Sequence, residues 1–480
     1  MKKIISLFFV FIISFSFSGC NKSEEKSLYT ISAVISENKL TCNMELNYVN
    51  NTSGAVERLY FTLYPNAFRE DAKIKPVSLN NYADAYENGV SYGGIEITSV
   101  KDDENNLNYT IGGVDKNTLI VNLNKSVKEK GKAKVNIDFT VTIPNVLHRF
   151  GYGKNTINLC NFYPKLCSEY NGKIYESVYY SSGDPFYSEV ADYKVTLKVD
   201  SCYTVASSLK PTKTVVLGEQ TEYSYERDSV RGIAFIMSKD FNILKTDYNG
   251  ISISYYYFND ENPKKTLGVV KDTLAFYSEK FCPYPYSEYV VCEADFIYGG
   301  MEYPCLTYIN ANLVGYERDY VIAHETAHEW WYGLVGVNES EEGFIDEGLT
   351  EFSTSLYISS KSEYNKSLES ILSETINVYK DLREIALLSG TEKTPTMKRN
   401  LNDFKSDLDY VSIAYYRSQI MFYKLYEYMG AKKFNEFLKS ILNNYSYKNI
   451  TYENLKSLAE NKKKGSKDFL DGYVLGITAI

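Results

Sequence analysis

The chain has 480 residues, a formal net charge of −9 and 44% hydrophobic residues. This length predicts two or three domains, and the acidic balance without a basic patch argues against nucleic acid as a partner. Histidine is scarce, with three residues, whereas tyrosine is abundant, with 46. A histidine cluster in this sequence is therefore more informative than a tyrosine at any one position.

The chain begins with two lysines, an apolar run and small residues before a cysteine, in "MKKIISLFFVFIISFSFSGC". This order is typical of a secretory signal peptide, and the run from Ile4 to Phe17 is short for a membrane span, although an uncleaved anchor is the alternative. "FSGC" resembles a bacterial lipobox, with Phe17 where leucine is usual. The resemblance implies a signal peptide over residues 1–19 and acylation of Cys20. Residues 20–27 would then be a flexible tether, and the protein would be held by its lipid at the outer side of the cell membrane.

Seven further cysteines are spread widely along the chain. An odd number without regular spacing does not indicate a disulfide framework. Cys160 and Cys167 could pair, but buried thiols are the expectation. No C-x-x-C spacing suggests a structural zinc site.

Two regimes of hydrophobic pattern follow the tether. Residues 28–245 alternate between apolar and polar side chains, as in "KLTCNMELNYV" and "DYKVTLKV", which predicts an N-terminal β-sandwich-like domain. From residue 246 the pattern is mixed: "ISISYYYF" is typical of a strand, "PKKTLGVVKDTLAFYSEKF" of a helix, and "YVVCEADFIYGGMEY" of strands again. Helical patterns dominate thereafter, so residues 246–480 are predicted to form an α+β domain.

The segment "HETAHEWWYG" places His324 and His328 four residues apart, with Glu325 next to the first. A helix is predicted here, with Asp319 as its N-cap and with Gly333 and Gly336 where it would end. Residues four apart lie on one helix face, where two imidazoles can bind one zinc ion and the glutamate can take a proton from the attacking water. A packed helix face is the alternative, but the scarcity of histidine argues against it.

A catalytic zinc ion needs a third protein ligand and an open position. Glu347, in "GFIDEGLTEFSTSLY", follows His328 after eighteen intervening residues and begins a second helical pattern. It completes a His, His, Glu set. Glu351 lies one turn further on the same face, and the sequence does not decide between a role at the site and a solvated helix surface.

"HETAHEWWYGLVG" followed by "FIDEGLTEF" resembles the zinc aminopeptidases of the aminopeptidase N type, which are gluzincin metallopeptidases. Their pattern is H-E-x-x-H, eighteen residues, and a glutamate within a W-L-N-E-G-like run. This chain has Phe344, Ile345 and Asp346 where tryptophan, leucine and asparagine are usual, and Trp330 matches the tryptophan after the second histidine. The resemblance implies one zinc ion per chain.

The same family has an upstream G-x-M-E-N element, and "YGGMEYP" matches it at Gly300, Met301 and Glu302. Tyr303 replaces the asparagine. The resemblance implies that Glu302 binds the free amino group of the substrate, which a charge-assisted hydrogen bond can do. Alone, so short a motif could equally be a plain edge strand.

Family members also supply a tyrosine for the oxyanion, in a Y-x-K-G-like run. "SIAYYRSQIM" aligns Tyr415 with this tyrosine and Arg417 with the lysine, while Ser418 replaces the glycine. Tyr416 remains the alternative donor. A packed helix tyrosine with a bonded hydroxyl is the other interpretation.

Together these motifs predict a zinc-dependent aminopeptidase that acts on peptides. The resemblance implies a thermolysin-like catalytic domain over residues 246–480. Because Tyr415 lies near the end of the chain, it also implies a short form without the large C-terminal helical domain. A zinc endopeptidase would keep the metal site without needing Glu302, and a non-catalytic lipoprotein that binds peptides or cell wall would not need Glu325 together with the ligands.

Overall fold

The computed structural model of the protein describes residues 25–103, 105–390 and 395–480. The predicted signal peptide, Cys20 and most of the tether lie outside these residues. Within them, no helix combines the length and apolar character that a membrane span requires. All seven cysteines of the described part are free thiols, so Cys160 and Cys167 are not paired.

Strands dominate the first part of the chain, as the alternating pattern predicts. They are β1 Leu28–Ser36, β2 Lys39–Val49, β3 Val56–Thr62, β4 Gly94–Lys101, β5 Tyr109–Gly112, β6 Thr118–Val127, β7 Lys132–Thr142, β8 Phe150–Tyr152, β9 Ile157–Cys160, β10 Lys165–Leu166, β11 Glu169–Tyr170, β12 Lys173–Ile174, β13 Ala191–Asp200, β14 Thr204–Ser207, β15 Lys210–Leu217, β16 Gln220–Val230 and β17 Ala234–Ser238. One short helix, α1 Tyr82–Ala85, lies between β3 and β4.

The largest sheet of this part has the order β15-β16-β13-β1-β2-β7-β4. In β1 the side chains of Ile31, Ala33 and Ile35 are buried while their neighbours are exposed, which is the period of two that the sequence shows. Ile31 pairs with Met44 of the antiparallel β2 and with Val195 of the parallel β13, so the buried faces of the three strands coincide. Two four-stranded sheets, β10-β3-β6-β5 and β14-β17-β9-β8, complete the first part with the β11–β12 hairpin.

The second part begins with a mixed sheet of the order β18-β19-β20-β22-β21. Its strands are β18 Asn242–Tyr248, β19 Ile251–Tyr257, β20 Glu288–Ala294, β21 Gly300–Tyr303 and β22 Leu306–Asn310. The remaining elements are α2 Pro263–Lys280, α3 Gly315–His328, β23 Val335–Gly336, α4 Glu339–Ser360, α5 Leu368–Leu388, α6 Asp407–Tyr410, α7 Ser418–Met429, α8 Ala431–Tyr445, β24 Lys448–Asn449, α9 Tyr452–Lys462 and α10 Ser466–Val474. A sheet-rich first part followed by an α+β second part confirms the predicted fold class. The boundary at 245/246 falls within β18 and stays a prediction.

The helix that carries both histidines differs from its prediction at its start. α3 begins at Gly315, four residues before the predicted N-cap. Asp319 lies inside the helix, where its carboxylate pairs with Lys265 of α2 at 3.2 Å instead of capping the backbone. After His328 the helical chain continues as a π-helical segment, Glu329–Leu334, so it ends between Gly333 and Gly336, where the sequence places the helix end.

Close packing of α4 against α7 brings Tyr415, the predicted oxyanion donor, to the predicted metal site. A Cβ atom on Gly348 would lie 2.6 Å from the Cβ of Ser418, so only glycine allows this approach. Ser418 begins α7, and the preceding turn, Val411–Arg417, is π-helical. The glycine directly after Glu347 therefore allows the segment that carries Tyr415 to approach α4.

Arg231, a buried arginine of the first part, makes hydrogen bonds to the second part of the chain. The Arg231 side chain donates from Nε to the carbonyl of Tyr332 at 2.9 Å and from Nη1 to the carbonyl of Ser188 at 3.1 Å. Its guanidinium also reaches Lys448 and Asn449 of β24. These bonds fix the chain that follows α3 against the first part.

Candidate active site

The two predicted histidine ligands face one another from α3. His324 and His328 are almost fully buried, and their Nε2 atoms lie 3.1 Å apart. Their rings are nearly perpendicular, with centroids 4.8 Å apart. This geometry follows from the spacing of four residues on a helix.

Glu347 of α4 completes the group. Its Oε2 atom lies 3.4 Å from His324 Nε2 and 3.5 Å from His328 Nε2, and it has no hydrogen-bond partner among the described residues. The ligand atoms of all three side chains lie within 4.8 Å of one another. Burial acts to raise the pKa of Glu347, but the two imidazoles outweigh it and lower the pKa to about 2. The carboxylate thus stays charged.

Glu325 lies beside this group, against the edge strand β21. It is buried, and burial raises its pKa to about 7. A Cβ atom on Gly300 would come within 2.6 Å of Glu325 Oε1. Gly300 therefore makes the space that the Glu325 side chain occupies.

The predicted substrate-binding residues follow Gly300 on the same strand. Met301 and Glu302 are both buried, and Glu302 forms a second close group of ligand atoms with Glu325 and His328. Burial, followed by the charge of Asp184, raises the pKa of Glu302 well above its usual range. The structure thus brings Glu302 beside the predicted metal site.

Arg149 of the first part contacts this strand, and Asp184 contacts Arg149; the sequence predicts neither residue. Arg149 forms a buried ion pair with Asp184, donates from Nε to the Met301 Sδ atom at 3.0 Å, and stacks on the Tyr298 ring at 5.2 Å. Their role depends on contacts between the two parts of the chain, which residue spacing does not reveal.

The Tyr415 hydroxyl donates a hydrogen bond to Glu347 Oε1 at 2.6 Å. Its ring stacks on His324, with centroids 5.9 Å apart and an angle of 11°. Tyr416 is half-buried, and Arg417 points away from the group to the carbonyl of Tyr473. Of the two adjacent tyrosines, Tyr415 is the one whose hydroxyl contacts a member of the group.

Residues 265–473 match the sequence family described as "Peptidase family M1 domain". This segment, which holds the predicted metal ligands and Tyr415, is therefore similar to an M1 peptidase domain. The chain is 28% identical over 199 residues to leukotriene A-4 hydrolase of Xenopus laevis, which is 39% of this chain and 31% of that protein. It is 23% identical over 284 residues to endoplasmic reticulum aminopeptidase 1 of Rattus norvegicus, which is 55% of this chain and 30% of that protein. The match thus spans about a third of the length of these curated relatives.

The likeness to solved structures extends beyond the M1 domain. An M1 zinc metallopeptidase from Deinococcus radiodurans superimposes with a TM-score of 0.68 at 14% identity, over 95% of this chain and 96% of that one. An E323A mutant of an M1 zinc metallopeptidase from the same organism, with the bound substrate Tyr-Ser-Ala, has the same TM-score at 13% identity. At this identity the likeness establishes the fold of both parts of the chain.

The side chains of the M1 domain suit a zinc ion. Two imidazole nitrogens and one carboxylate are a common ligand set for catalytic zinc and leave a fourth position open. Burial acts to lower the pKa of His324, yet Glu347 and Glu351 raise it to about 10, so this buried pocket favours positive charge. One cation bound between them would satisfy both the unpartnered Oε2 atom of Glu347 and the facing Nε2 atoms of the two histidines.

Proposed function

We propose that the protein is a zinc-dependent aminopeptidase that hydrolyses the first peptide bond of peptides. The observation that carries this proposal is the position of Glu302 beside Glu325 and His328. A carboxylate there can hold a substrate ammonium group next to the water-activating base. The peptide-bound Deinococcus relative and the aminopeptidase relatives support the substrate class.

Zinc would be held by His324, His328 and Glu347. When bound, zinc polarises the scissile carbonyl and makes water a better nucleophile at neutral pH. Glu325 takes the proton of the attacking water and later delivers it to the leaving amine. Its burial keeps competing water away from the carboxylate.

Tyr415 supplies a hydrogen bond to the oxyanion of the tetrahedral intermediate. Burial, followed by the charge of Glu347, raises the pKa of the Tyr415 hydroxyl well above its usual range, so it keeps its proton at neutral pH. A hydroxyl that stays protonated can donate throughout the reaction. Its bond to Glu347 holds it at the metal site in the absence of substrate.

Glu302 sets which bond is cut. If the substrate ammonium binds this carboxylate, the carbonyl that lies at the base and the metal ligands belongs to the first residue. Arg149 keeps β21 in place through Met301, and Gly300 keeps the strand close to Glu325. An endopeptidase would have no use for a buried carboxylate at this position.

The N-terminal sequence supports a second part of the proposal. Cleavage after residue 19 and acylation of Cys20 would anchor the enzyme at the outer side of the cell membrane. A bacterial lipoprotein carries more than one acyl chain, which is sufficient for a stable anchor. The enzyme would then meet peptides outside the cytoplasm.

The experiment that tests the aminopeptidase is a comparison of Glu302→Gln with wild type on a free peptide and its N-acetylated form. A charge-assisted bond is worth about 1.5–3 kcal/mol, so the variant should lose roughly ten- to a hundredfold in kcat/KM on the free peptide. It should retain zinc, and Glu436→Gln, a change of an exposed glutamate on α8, should behave as wild type. Unchanged kcat/KM in Glu302→Gln would remove the amine-binding role and leave an endopeptidase.

A further inference from the structure

Both ligand histidines have their second ring nitrogen beside a carboxylate of α4. His328 Nδ1 lies 2.8 Å from Asp346 Oδ1, and His324 Nδ1 lies 3.1 Å from Glu351 Oε1. These two carboxylates flank Glu347 in sequence, one residue before it and four residues after it. The helix α4 therefore provides the metal ligand Glu347 and also a carboxylate partner for each of the two histidine ligands.

The contact between Asp346 and His328 is a well-formed hydrogen bond. The Asp346 side chain is almost fully buried, and the Thr350 hydroxyl, one turn further along α4, lies 3.1 Å from the same ring nitrogen. When Nδ1 carries the proton and donates a hydrogen bond to Asp346, the lone pair of Nε2 faces His324 and Glu347. The bond thus selects the tautomer that a metal ligand needs.

The contact between Glu351 and His324 has a less favourable hydrogen-bond geometry than the contact between Asp346 and His328. The distance is short, but the N–H direction of the ring does not meet the oxygen, so Nδ1 makes no hydrogen bond. The Tyr320 hydroxyl donates to the other oxygen of Glu351 and fixes the carboxylate. Glu351 therefore acts mainly through charge, whereas Asp346 acts through both charge and direction.

We propose that Asp346 is a positioning residue of the zinc site, which orients His328 and strengthens zinc binding, and that Glu351 supports His324 to a smaller extent. This inference rests on the zinc site of the proposed function. It gives a role to an aspartate that stands where the aminopeptidase N family usually has asparagine. Partners of metal-bound histidines typically contribute 10- to 100-fold to metal affinity.

Three variants separate the contributions. Asp346→Ala removes charge and hydrogen bond and should weaken zinc binding by about 100-fold, while Asp346→Asn keeps an acceptor oxygen and should weaken it by about tenfold. Glu351→Gln should weaken it by less than Asp346→Asn, because His324 lacks an aligned bond. The matched control is Asp319→Asn, which changes an equally buried aspartate of α3 that pairs with Lys265 and not with a histidine.

The measurement is the zinc dissociation constant of each full-length apoprotein, obtained by competition with a chromophoric chelator. Melting of the apoproteins shows which variants are folded, and Asp346→Asn decides the question if Asp346→Ala does not fold. The proposal is supported if Asp346→Asn weakens zinc binding about tenfold while Asp319→Asn binds as wild type. Wild-type affinity in folded Asp346→Asn and Asp346→Ala overturns it, as does an equal loss in Asp319→Asn. Failure of the wild type to bind zinc would instead overturn the proposed function.

Discussion

Replacing Tyr415 by phenylalanine removes one hydroxyl from the site and nothing else. In the structure this hydroxyl bonds Glu347 at 2.6 Å, and the ring stacks on His324, a contact that phenylalanine retains. The variant should therefore keep its fold and its zinc. Its defect should lie in the stabilisation of the oxyanion.

The size of this defect follows from what the hydroxyl contacts before and during the reaction. Loss of one oxyanion donor typically lowers kcat by about 10²–10³. In the resting enzyme the same hydroxyl already bonds a carboxylate, and that bond must be given up when the oxyanion forms, so we expect the lower end, about 10². KM should change little, because the oxyanion bond exists only in the transition state.

Steady-state kinetics on a chromogenic amino acid amide, together with zinc content per chain, measure both quantities. The adjacent Tyr416→Phe is the matched control and should retain kcat within a few-fold, since Tyr416 is half-buried beside Glu351 rather than bonded to Glu347. A Tyr415→Phe enzyme with wild-type kcat would refute this reasoning. A hundredfold loss in Tyr416→Phe instead would assign the donor to that residue.

Three further predictions concern other features. Glu325→Gln should retain one zinc ion per chain and lose turnover, because it removes the base and not a ligand; full activity in this variant would refute the mechanism. Cys20→Ala should abolish incorporation of labelled fatty acid into the protein in its native host, and unchanged labelling would refute the lipid anchor. Burial lowers the pKa of Lys165 to about 8, below the unfolded value of about 10.4. Between about pH 8 and about pH 10.4 the unfolded chain therefore binds more protons than the folded chain. The free-energy cost of burying the charged ammonium group disappears as the pH rises through this range. Lys165→Met should therefore raise the free energy of unfolding by up to about 3 kcal/mol at pH 7 and by much less near pH 10, measured by urea titration; a difference independent of pH would contradict this.

Local spacing was sufficient to predict the residues that share a helix or a strand. His324 and His328 lie on one face of α3, and Glu347 follows on the next long helix, as the pattern indicates. Asp319 misled the prediction of the helix start because its carboxylate pairs with Lys265 of another helix. Neither residue spacing nor helix propensity could have revealed Lys265 as the partner of Asp319.

Contacts between distant segments were not predictable from the sequence. Arg149, which is paired with Asp184, contacts Met301 of β21 across the boundary between the two parts, and residue spacing does not reveal this contact. The π-helical turns at 329–334 and 411–417 also escaped prediction, because an extra residue per turn disturbs the helical period on which such predictions depend. The sequence does not decide the role of Glu351, because one-turn spacing places it near Glu347 without showing that His324 lies beside it.

The most direct test of the aminopeptidase assignment is product analysis with the wild-type enzyme on one peptide in two forms, with a free and with an acetylated amino end. Mass spectrometry over time identifies which bonds are cut. A buried carboxylate at Glu302 predicts removal of single residues in order from the free end and little or no cleavage of the acetylated form. Equal cleavage of both forms at internal bonds would contradict the assignment.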